Sequence, residues 1–205
     1  MISWIVVVPV KGTPAAKSRF GGDAAHRAAL AEAMALDTVE AVLAAPNVSR
    51  VIVVTSSEAA PRFAALGARV VVDTGGGLNA AVDVGLAEAL GLVGGARAQF
   101  HTAVLLGDLP ALKPPELEAA LALATAHDRT LVADAAGSGT TLITALYGRS
   151  HAPAFGAGSA QSHRAAGYTP LDIPVNSGLR LDVDTSDELA ALDAARLGPR
   201  TAAAL

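Results

Sequence analysis

The chain has 205 residues, of which 52% are hydrophobic, 3% aromatic and 17% charged, and its formal net charge is −4. That length fits one globular domain with a substantial core, while the scarcity of aromatic residues and of basic charge argues against nucleic-acid binding and membrane association. Cysteine is absent, which excludes disulfides, thiolate metal sites and a cysteine nucleophile, and the apolar start is too short to span a bilayer, so we expect a cytoplasmic protein.

Strand-like and helix-like segments alternate along the chain. The first half predicts strands at Ile5–Val10, Val51–Thr55 and Val70–Val72, helices at Ala25–Leu43 and Ala59–Leu66, and a helix at Asn79–Leu90 after the turn Gly75–Gly77. The second half predicts strands at Ala103–Leu106, Thr130–Ala133, Thr141–Leu146 and Leu179–Val183, helices at Pro114–Thr125 and Thr185–Leu197, and an irregular region at His151–Thr169. The pair of strands around the turn Ala135–Gly139 suggests an antiparallel hairpin. Repeated βα units predict an α/β fold with a mainly parallel sheet covered by helices, in a single domain spanning 1–205.

A cationic loop follows the first predicted strand. The strand breaks at Pro9 into a segment that carries Lys11, Lys17 and Arg19. In an open α/β sheet, anionic ligands usually bind beyond the carboxyl ends of the strands. Three cations in nine residues at that place therefore suggest a site for a polyphosphate or a phosphorylated metabolite, although most lysines and arginines are simply surface charges.

Three aspartates form the second signal. Asp108 directly follows a buried strand in VLLGDLPAL, and Asp182 and Asp184 are two residues apart in LDVDT. In an extended segment, Asp182 and Asp184 project from the same face while Val183 turns inward. Such close carboxylates repel one another unless a cation lies between them, and hard oxygen ligands suit Mg²⁺.

Each of these aspartates also has a purely structural interpretation. Asp108 is in a position to stabilise a turn, and Asp184 precedes a capping-box pattern of Thr185 with Glu188. What favours the metal interpretation is that acids and cations converge on one predicted edge of the sheet.

Two Gly/Ser-rich segments suggest a second anion pocket. Gly137–Thr141 and Phe155–Ser159 offer backbone N–H groups and hydroxyls with little side-chain bulk, the composition of a phosphate- or carboxylate-binding nest. His163, beside Arg164, is a candidate for contact with an anion. The histidine spacing does not match a zinc site, and neither a G-x-S-x-G elbow nor a Walker loop is present, which disfavours acyl hydrolysis and P-loop chemistry.

These motifs together resemble one known family. In order, VPVKGTPAAKSRF, GGLNAAV, VLLGDLPAL, GSGTT, FGAGSAQSH and LDVDT are similar to the CofC family of guanylyltransferases of coenzyme F-420 biosynthesis, over about Ile5 to Leu192. The resemblance implies a three-layer Rossmann-like sheet of the nucleotide-diphospho-sugar transferase (GT-A) type, with Mg²⁺ as cofactor. One departure is Phe20 followed by two glycines, where relatives usually continue with leucine.

The resemblance also implies roles for particular residues. Lys11, Lys17 and Arg19 would be the catalytic cations, and Lys11 and Lys17 would contact phosphates. Asp108, Asp182 and Asp184 would hold the metal. Thr140, Gly156 and Ser159 would cradle the phospho-acid, and Asn79 would lie on the nucleotide side.

The implied reaction joins GMP from GTP to a three-carbon phospho-acid with release of pyrophosphate. Phosphoenolpyruvate is the favoured acceptor, and 2-phospho-L-lactate and 3-phosphoglycerate remain open. The family's pathway suggests hand-over of the product to a downstream transferase. Two alternatives remain: a molybdopterin-type or sugar-phosphate nucleotidyltransferase of the same fold, and a non-catalytic nucleotide-binding α/β domain.

Overall fold

A computed structural model describes residues 3–10, 23–93 and 99–205. The strands are β1 (Ser3–Pro9), β2 (Val48–Thr55), β3 (Arg69–Val72), β4 (Phe100–Leu105), β5 (Arg129–Ala133), β6 (Thr140–Ala145) and β7 (Thr169–Pro170). The helices are α1 (Ala24–Leu43), α2 (Ala60–Ala65), α3 (Leu78–Val93), α4 (Pro114–Ala124), α5 (Ser159–Ala165), α6 (Ser186–Ala191) and α7 (Pro199–Ala203). Within these ranges we find no helix with both the length and the apolar character needed to cross a bilayer.

The seven strands form one sheet in the order β3-β2-β1-β4-β6-β5-β7. Strands β1, β2, β3 and β4 pair in parallel, whereas β6 is antiparallel to both β4 and β5. The predicted mainly parallel α/β fold and the predicted antiparallel hairpin are thus confirmed. The carboxyl ends of β1, β4 and β5 lie at the same edge of the sheet, because β5 is antiparallel to β6 and β6 to β4.

Both faces of the sheet are buried, which explains why its strands are continuous apolar runs. Along β1, Trp4, Val6 and Val8 enter one hydrophobic cluster, while Ile5 and Val7 enter the cluster on the opposite face. The period of two residues along an extended strand produces this division. Helices α1, α2 and α4 cover the first face, and α3 covers the second.

Three predicted segments differ from the structure. The region His151–Thr169, predicted irregular, contains α5 and β7, because Ala160 and His163 share one face of a short helix and bury it. The predicted strand Leu179–Val183 is a 3₁₀ turn followed by residues that pair with no strand in the described part of the chain. The predicted helix Thr185–Leu197 ends after six residues at Ala191, and a separate 3₁₀ turn begins where Asp193 caps the amide of Ala195.

Helix α3 packs directly on the sheet at Gly85. A Cβ atom at that position would overlap Cγ1 of Val7 and lie 2.9 Å from Cγ2 of Val54, so only glycine allows this approach. We expect Gly85→Ala to lower the unfolding free energy by about 2 kcal/mol and the melting temperature by about 4 to 8 °C. Gly91→Ala is the matched control in the same helix, because a Cβ there meets nothing within 4 Å. It should be neutral or stabilising by up to about 1 kcal/mol. Equal thermal-denaturation midpoints for the two variants would contradict the close contact.

Candidate active site

A cleft of about 670 Å³ opens at the carboxyl-terminal edge of the sheet. Its lining comes from the end of β1, one face of α1, the start of α3 and four connecting segments, which are the one after β4, the turn between β5 and β6, the loop before α5 and the segment before α6. The side chains and backbone that carry chemistry are Asp108, Asp134, Ser138, Gly139, Thr140, Gly156, Ala157, Gly158, Ser159, Asp182 and Asp184. Clefts of this size at this edge of an α/β sheet are typical binding sites for nucleotides and other small molecules.

Asp108 reaches the cleft because the chain turns sharply after β4. At Gly107 a Cβ atom would lie 3.0 Å from Cγ2 of Val10 and 3.3 Å from the carbonyl oxygen of Pro9, so the ends of β1 and β4 approach closely. The backbone after Asp108 is also fixed, because the amide of Leu109 donates to Oγ1 of Thr38 at 3.1 Å. Asp108 is therefore held at the cleft wall from both sides.

Asp182 and Asp184 are brought to the same wall by the residue between them. Val183 is fully buried with Leu189 and Met34, and its amide donates to the carbonyl oxygen of Asp108 at 3.1 Å. Both aspartates consequently line the cleft while Val183 turns inward, as predicted. The predicted capping box also exists, since Thr185 and Glu188 cap the start of α6.

Arg180 fixes the segment that carries these aspartates. Its guanidinium donates to the carbonyl oxygens of Ala133 (3.0 Å), Asp134 (2.7 Å) and Ile173 (2.8 Å). The carbonyl of Arg180 accepts from the amide of Ala135 at 2.8 Å. These bonds connect the end of β5 to the segment before Asp182, in place of the sheet ladder that the sequence predicted.

Asp134 is a fourth aspartate of the cleft, and the sequence analysis missed it. Its carboxylate accepts hydrogen bonds from the amides of Ser138 (2.9 Å) and Gly139 (2.8 Å) and so shapes the turn that leads into β6. A Cβ atom at Gly139 would overlap the same carboxylate. The sequence carries a similar signal at both positions, because Asp134 directly follows β5 and Asp108 comes three residues after β4.

Negative charge concentrates around Asp182. Burial, the largest cause, and the charges of Asp108, Asp134 and Asp184 together raise the pKa of its carboxyl from 3.8 to about 7. Carboxylates that lie close together repel one another, and a cation bound between them would reduce that repulsion. Their oxygen donors fit Mg²⁺ in chemical type.

The predicted three-carboxylate metal site is nevertheless not preformed. Within residues 3–10, 23–93 and 99–205, no three histidine, aspartate or glutamate side chains lie close enough to coordinate one ion. Mg²⁺ usually binds to one or two carboxylates and completes its shell with water and substrate phosphates. Metal binding by Asp108, Asp182 and Asp184 thus stays a prediction for the complex with nucleotide.

A second wall of the cleft consists of the two Gly/Ser-rich segments. The amide of Ala160 donates to the carbonyl of Ser138 at 3.1 Å, which joins the turn before β6 to the start of α5. Thr140, Gly156 and Ser159, the residues predicted for the phospho-acid, all line the cleft here. The structure therefore brings together the two segments that the sequence suggested as an anion pocket.

Three consecutive amides on this wall are available to a ligand. The N–H groups of Gly156, Ala157 and Gly158 donate to no acceptor in the part of the chain that the structure describes. Gly156 and Gly158 have φ angles of 140° and 68°, backbone conformations that favour glycine. Such an arrangement binds a carboxylate or phosphate without any formal charge.

Asn79 holds the loop before α5 through two hydrogen bonds to its backbone. Its Nδ2 donates to the carbonyl of Phe155 at 3.0 Å, and its Oδ1 accepts from the amide of Phe155 at 2.9 Å. Asn79 is absent from the cleft lining, although its neighbour Leu78 is part of it. Its predicted contact with the nucleotide remains a prediction, and the contact that the structure shows is with the loop.

The predicted catalytic cations Lys11, Lys17 and Arg19 lie outside the described residues. Val10, which precedes Lys11 in the chain, does line the cleft. Among the described lining residues there are four aspartates and no lysine or arginine. Anionic substrates therefore require positive charge from elsewhere.

Comparisons with known proteins agree with this geometry. A family model described as a MobA-like NTP transferase domain matches residues 16–169. The phosphoenolpyruvate guanylyltransferase of Streptomyces coelicolor is 48% identical over 206 residues, covering 98% of this chain and 95% of the relative. That of Streptomyces scabiei is 47% identical over 207 residues, covering 99% of this chain and 96% of the relative. This chain belongs to the phosphoenolpyruvate guanylyltransferase family.

Membership in the phosphoenolpyruvate guanylyltransferase family confirms the resemblance to the CofC guanylyltransferases, and the protein is a nucleotidyltransferase. The fold is confirmed independently. A Desulfovibrio desulfuricans G20 structure described as a nucleotide-diphospho-sugar transferase superposes with a TM-score of 0.70 at 16% identity, covering 100% of this chain and 94% of that one. At that identity the superposition shows the fold alone, which is the predicted GT-A type.

Proposed function

We propose that this protein transfers the guanylyl group of GTP to phosphoenolpyruvate and releases pyrophosphate, in coenzyme F-420 biosynthesis. The observation that carries the proposal is a cleft that is lined both by an acidic wall at Asp108, Asp182 and Asp184 and by an amide wall of free N–H groups at 156–158. The acidic wall suits a cation-bound triphosphate, and the amide wall suits the anionic acceptor. The relatives named phosphoenolpyruvate guanylyltransferase favour that acceptor over the other two phospho-acids.

The reaction requires little acid–base chemistry. A phosphate oxygen of the acceptor, already ionised at neutral pH, attacks the α-phosphorus of GTP. A new phosphorus–oxygen bond forms, the bond between the α-phosphorus and the bridging oxygen breaks, and pyrophosphate leaves with the electron pair. Because no proton must be removed from the nucleophile, a general base is unnecessary, and catalysis rests on positioning and on charge neutralisation.

Positive charge at the cleft would come from two sources. Mg²⁺, held by Asp108, Asp182 and Asp184, would neutralise triphosphate charge and stabilise the leaving pyrophosphate. Lys11, Lys17 and Arg19, which follow the cleft residue Val10 in sequence, would contact the phosphates. We further propose that the protein acts in the cytoplasm, where both substrates occur, and that it binds neither nucleic acid nor membrane. Its reactive product would pass to a downstream transferase.

A pyrophosphate-release assay tests this function. The protein is incubated with GTP and MgCl₂ and with phosphoenolpyruvate, 2-phospho-L-lactate or 3-phosphoglycerate in separate reactions. We expect release that depends on the acceptor and is fastest with phosphoenolpyruvate. Mass spectrometry should then identify the corresponding guanylyl phosphodiester. Reactions with CTP and without acceptor are the controls.

Two results would overturn the proposal in different ways. Release that ignores the phospho-acid, or that requires a sugar phosphate, would indicate another nucleotidyltransferase of the same fold. GTP binding, measured by calorimetry, without release under any of these conditions would indicate a non-catalytic nucleotide-binding domain.

A further inference from the structure

His163 lies directly beneath the amide wall and is fully buried. Its Nδ1 is 3.0 Å from Oγ1 of Thr140 on β6, and its Nε2 is 2.9 Å from the amide nitrogen of Ala154. The rings of Phe155 and Tyr168 contact it edge-on, with centroid distances of 5.0 and 5.3 Å. The sequence suggested contact between His163 and an anion, but the ring does not reach the cleft.

The contact with Ala154 fixes the tautomer of this histidine. A backbone N–H can only donate, so Nε2 must accept and carries no hydrogen. In the neutral ring the hydrogen is therefore on Nδ1. Burial lowers the pKa of His163, with a smaller opposing effect from the carbonyl of Ser159, which favours this neutral form.

The tautomer in turn decides what the hydroxyl of Thr140 can do. Because Nδ1 bears a hydrogen, it donates to Oγ1 and cannot accept from it. The hydroxyl hydrogen of Thr140 is then free to point into the cleft, which Thr140 lines. Carboxylate and phosphate oxygens accept hydrogen bonds and do not donate them, so a donor is what an anionic ligand needs at this place.

We infer that His163 is a positioning residue, which presents the Thr140 hydroxyl as a hydrogen-bond donor to the anionic acceptor. This inference rests on the proposed function, in which the acceptor lies between Thr140 and the amides at 156–158. The same ring holds the loop by its contact with Ala154, two residues before the first of those amides. His163 thus links β6 and the loop, and it acts on the acceptor side of the cleft.

A matched pair of variants isolates the donor. His163→Asn and His163→Leu have nearly the same shape, and both lose the ring and the contact with Ala154. Only asparagine retains an N–H donor at the position of Nδ1. We expect the KM for phosphoenolpyruvate to be about threefold higher in His163→Leu than in His163→Asn, because a Thr140 hydroxyl that receives no hydrogen bond is spread over three rotamers and points at the ligand in only one of them. The KM for GTP should be the same in both variants.

The effect must also disappear when Thr140 cannot donate. In a Thr140→Val background we expect the two His163 variants to have the same KM for phosphoenolpyruvate, whereas in a Thr140→Ser background the difference should persist. His127→Leu, at an exposed histidine, is the control and should leave all constants unchanged. Equal acceptor KM values in the original pair, or a difference that survives in Thr140→Val, would refute the inference.

A spectroscopic measurement on the unchanged protein does not depend on the variants folding. In ¹⁵N NMR of histidine-labelled protein, His163 should show a protonated Nδ1 and an unprotonated Nε2. The opposite tautomer would refute the inference even if both variants unfold. Absence of acceptor-dependent pyrophosphate release from the unchanged protein would instead refute the proposed function, so the two failures can be distinguished.

Discussion

Replacement of Asp108 by asparagine is expected to lower kcat for pyrophosphate release by at least about 100-fold, with little change in the melting temperature. Asp108 lines the cleft together with Asp182 and Asp184, so its replacement removes charge from the proposed metal-binding wall. The contacts that fix the local backbone remain, since Val183 donates to the carbonyl of residue 108 and Leu109 donates to Thr38. Steady-state assays with thermal denaturation provide both readouts.

Asp187→Asn is the matched control for this prediction. Asp187 lies in the first turn of α6, is exposed, and is not part of the cleft lining. Its replacement removes the same formal charge and should cost only a few tenths of a kcal/mol through the helix dipole, with kcat unchanged. A marked fall in the melting temperature of Asp108→Asn would favour the alternative in which Asp108 only stabilises a turn. Normal activity in that variant would contradict its place in the active site.

Much of this architecture follows from local pattern. The runs at β1, β2 and β4 are apolar on both faces, which only a sheet covered by helices can bury. The position of Asp108 then follows from a general rule, because the residue after a parallel strand lies at the ligand-binding edge. The alternation of Asp182, Val183 and Asp184 likewise predicted which side chains turn outward.

Other features depend on contacts between distant parts of the chain. The segment after Leu179 is apolar enough to be a strand, but Arg180 donates to carbonyls 46 and 47 residues earlier and replaces the ladder. Helix α5 is short and flanked by glycines, and it forms because His163 bonds to Thr140, 23 residues away. No local pattern contains such pairings.

The predicted site residues also fall into two groups, those whose position follows from local pattern and those whose contacts come from distant parts of the chain. Thr140, Gly156 and Ser159 line one cleft because the start of β6 and the loop that leads into α5 lie at the same edge, and their contact with the phospho-acid stays a prediction. Asn79 was predicted on the nucleotide side, but its amide is matched to the backbone of Phe155, 76 residues on. The tautomer of a histidine depends on which backbone group reaches its ring, so the sequence could suggest an anion contact for His163 but not its role in positioning Thr140.

Replacement of Asp182 by asparagine should make the metal-free protein more stable at pH 8 and at the same time less active. The pKa of the Asp182 carboxyl rises from 3.8 to about 7 on folding. Between these two pH values the folded protein therefore keeps a proton that the unfolded chain has released. Unfolding free energy therefore falls as the pH rises from about 4 to 7, and the full loss persists above pH 7. For a partly exposed carboxyl we expect this loss to be about 2 to 3 kcal/mol.

Asparagine has nearly the same shape and never ionises, so the variant should escape that loss. Thermal denaturation in EDTA should show a melting temperature several degrees above that of the unchanged protein at pH 8, and nearly equal values at pH 4. Buried histidines such as His151, whose pKa is lowered to about 4, affect both proteins alike and cancel in the difference. Asp187→Asn should show no such pH-dependent gain.

Two further measurements on Asp182→Asn test whether Asp182 helps to hold the metal. If Asp182 helps to hold Mg²⁺, addition of MgCl₂ and GTP should raise the melting temperature of the unchanged protein more than that of Asp182→Asn, because the cation relieves the repulsion that asparagine has already removed. The pyrophosphate-release rate of the variant should fall at least about tenfold. A variant that is destabilised at pH 8 would show that the cluster of aspartates is compensated within the protein itself, and the argument for a cation between them would fail.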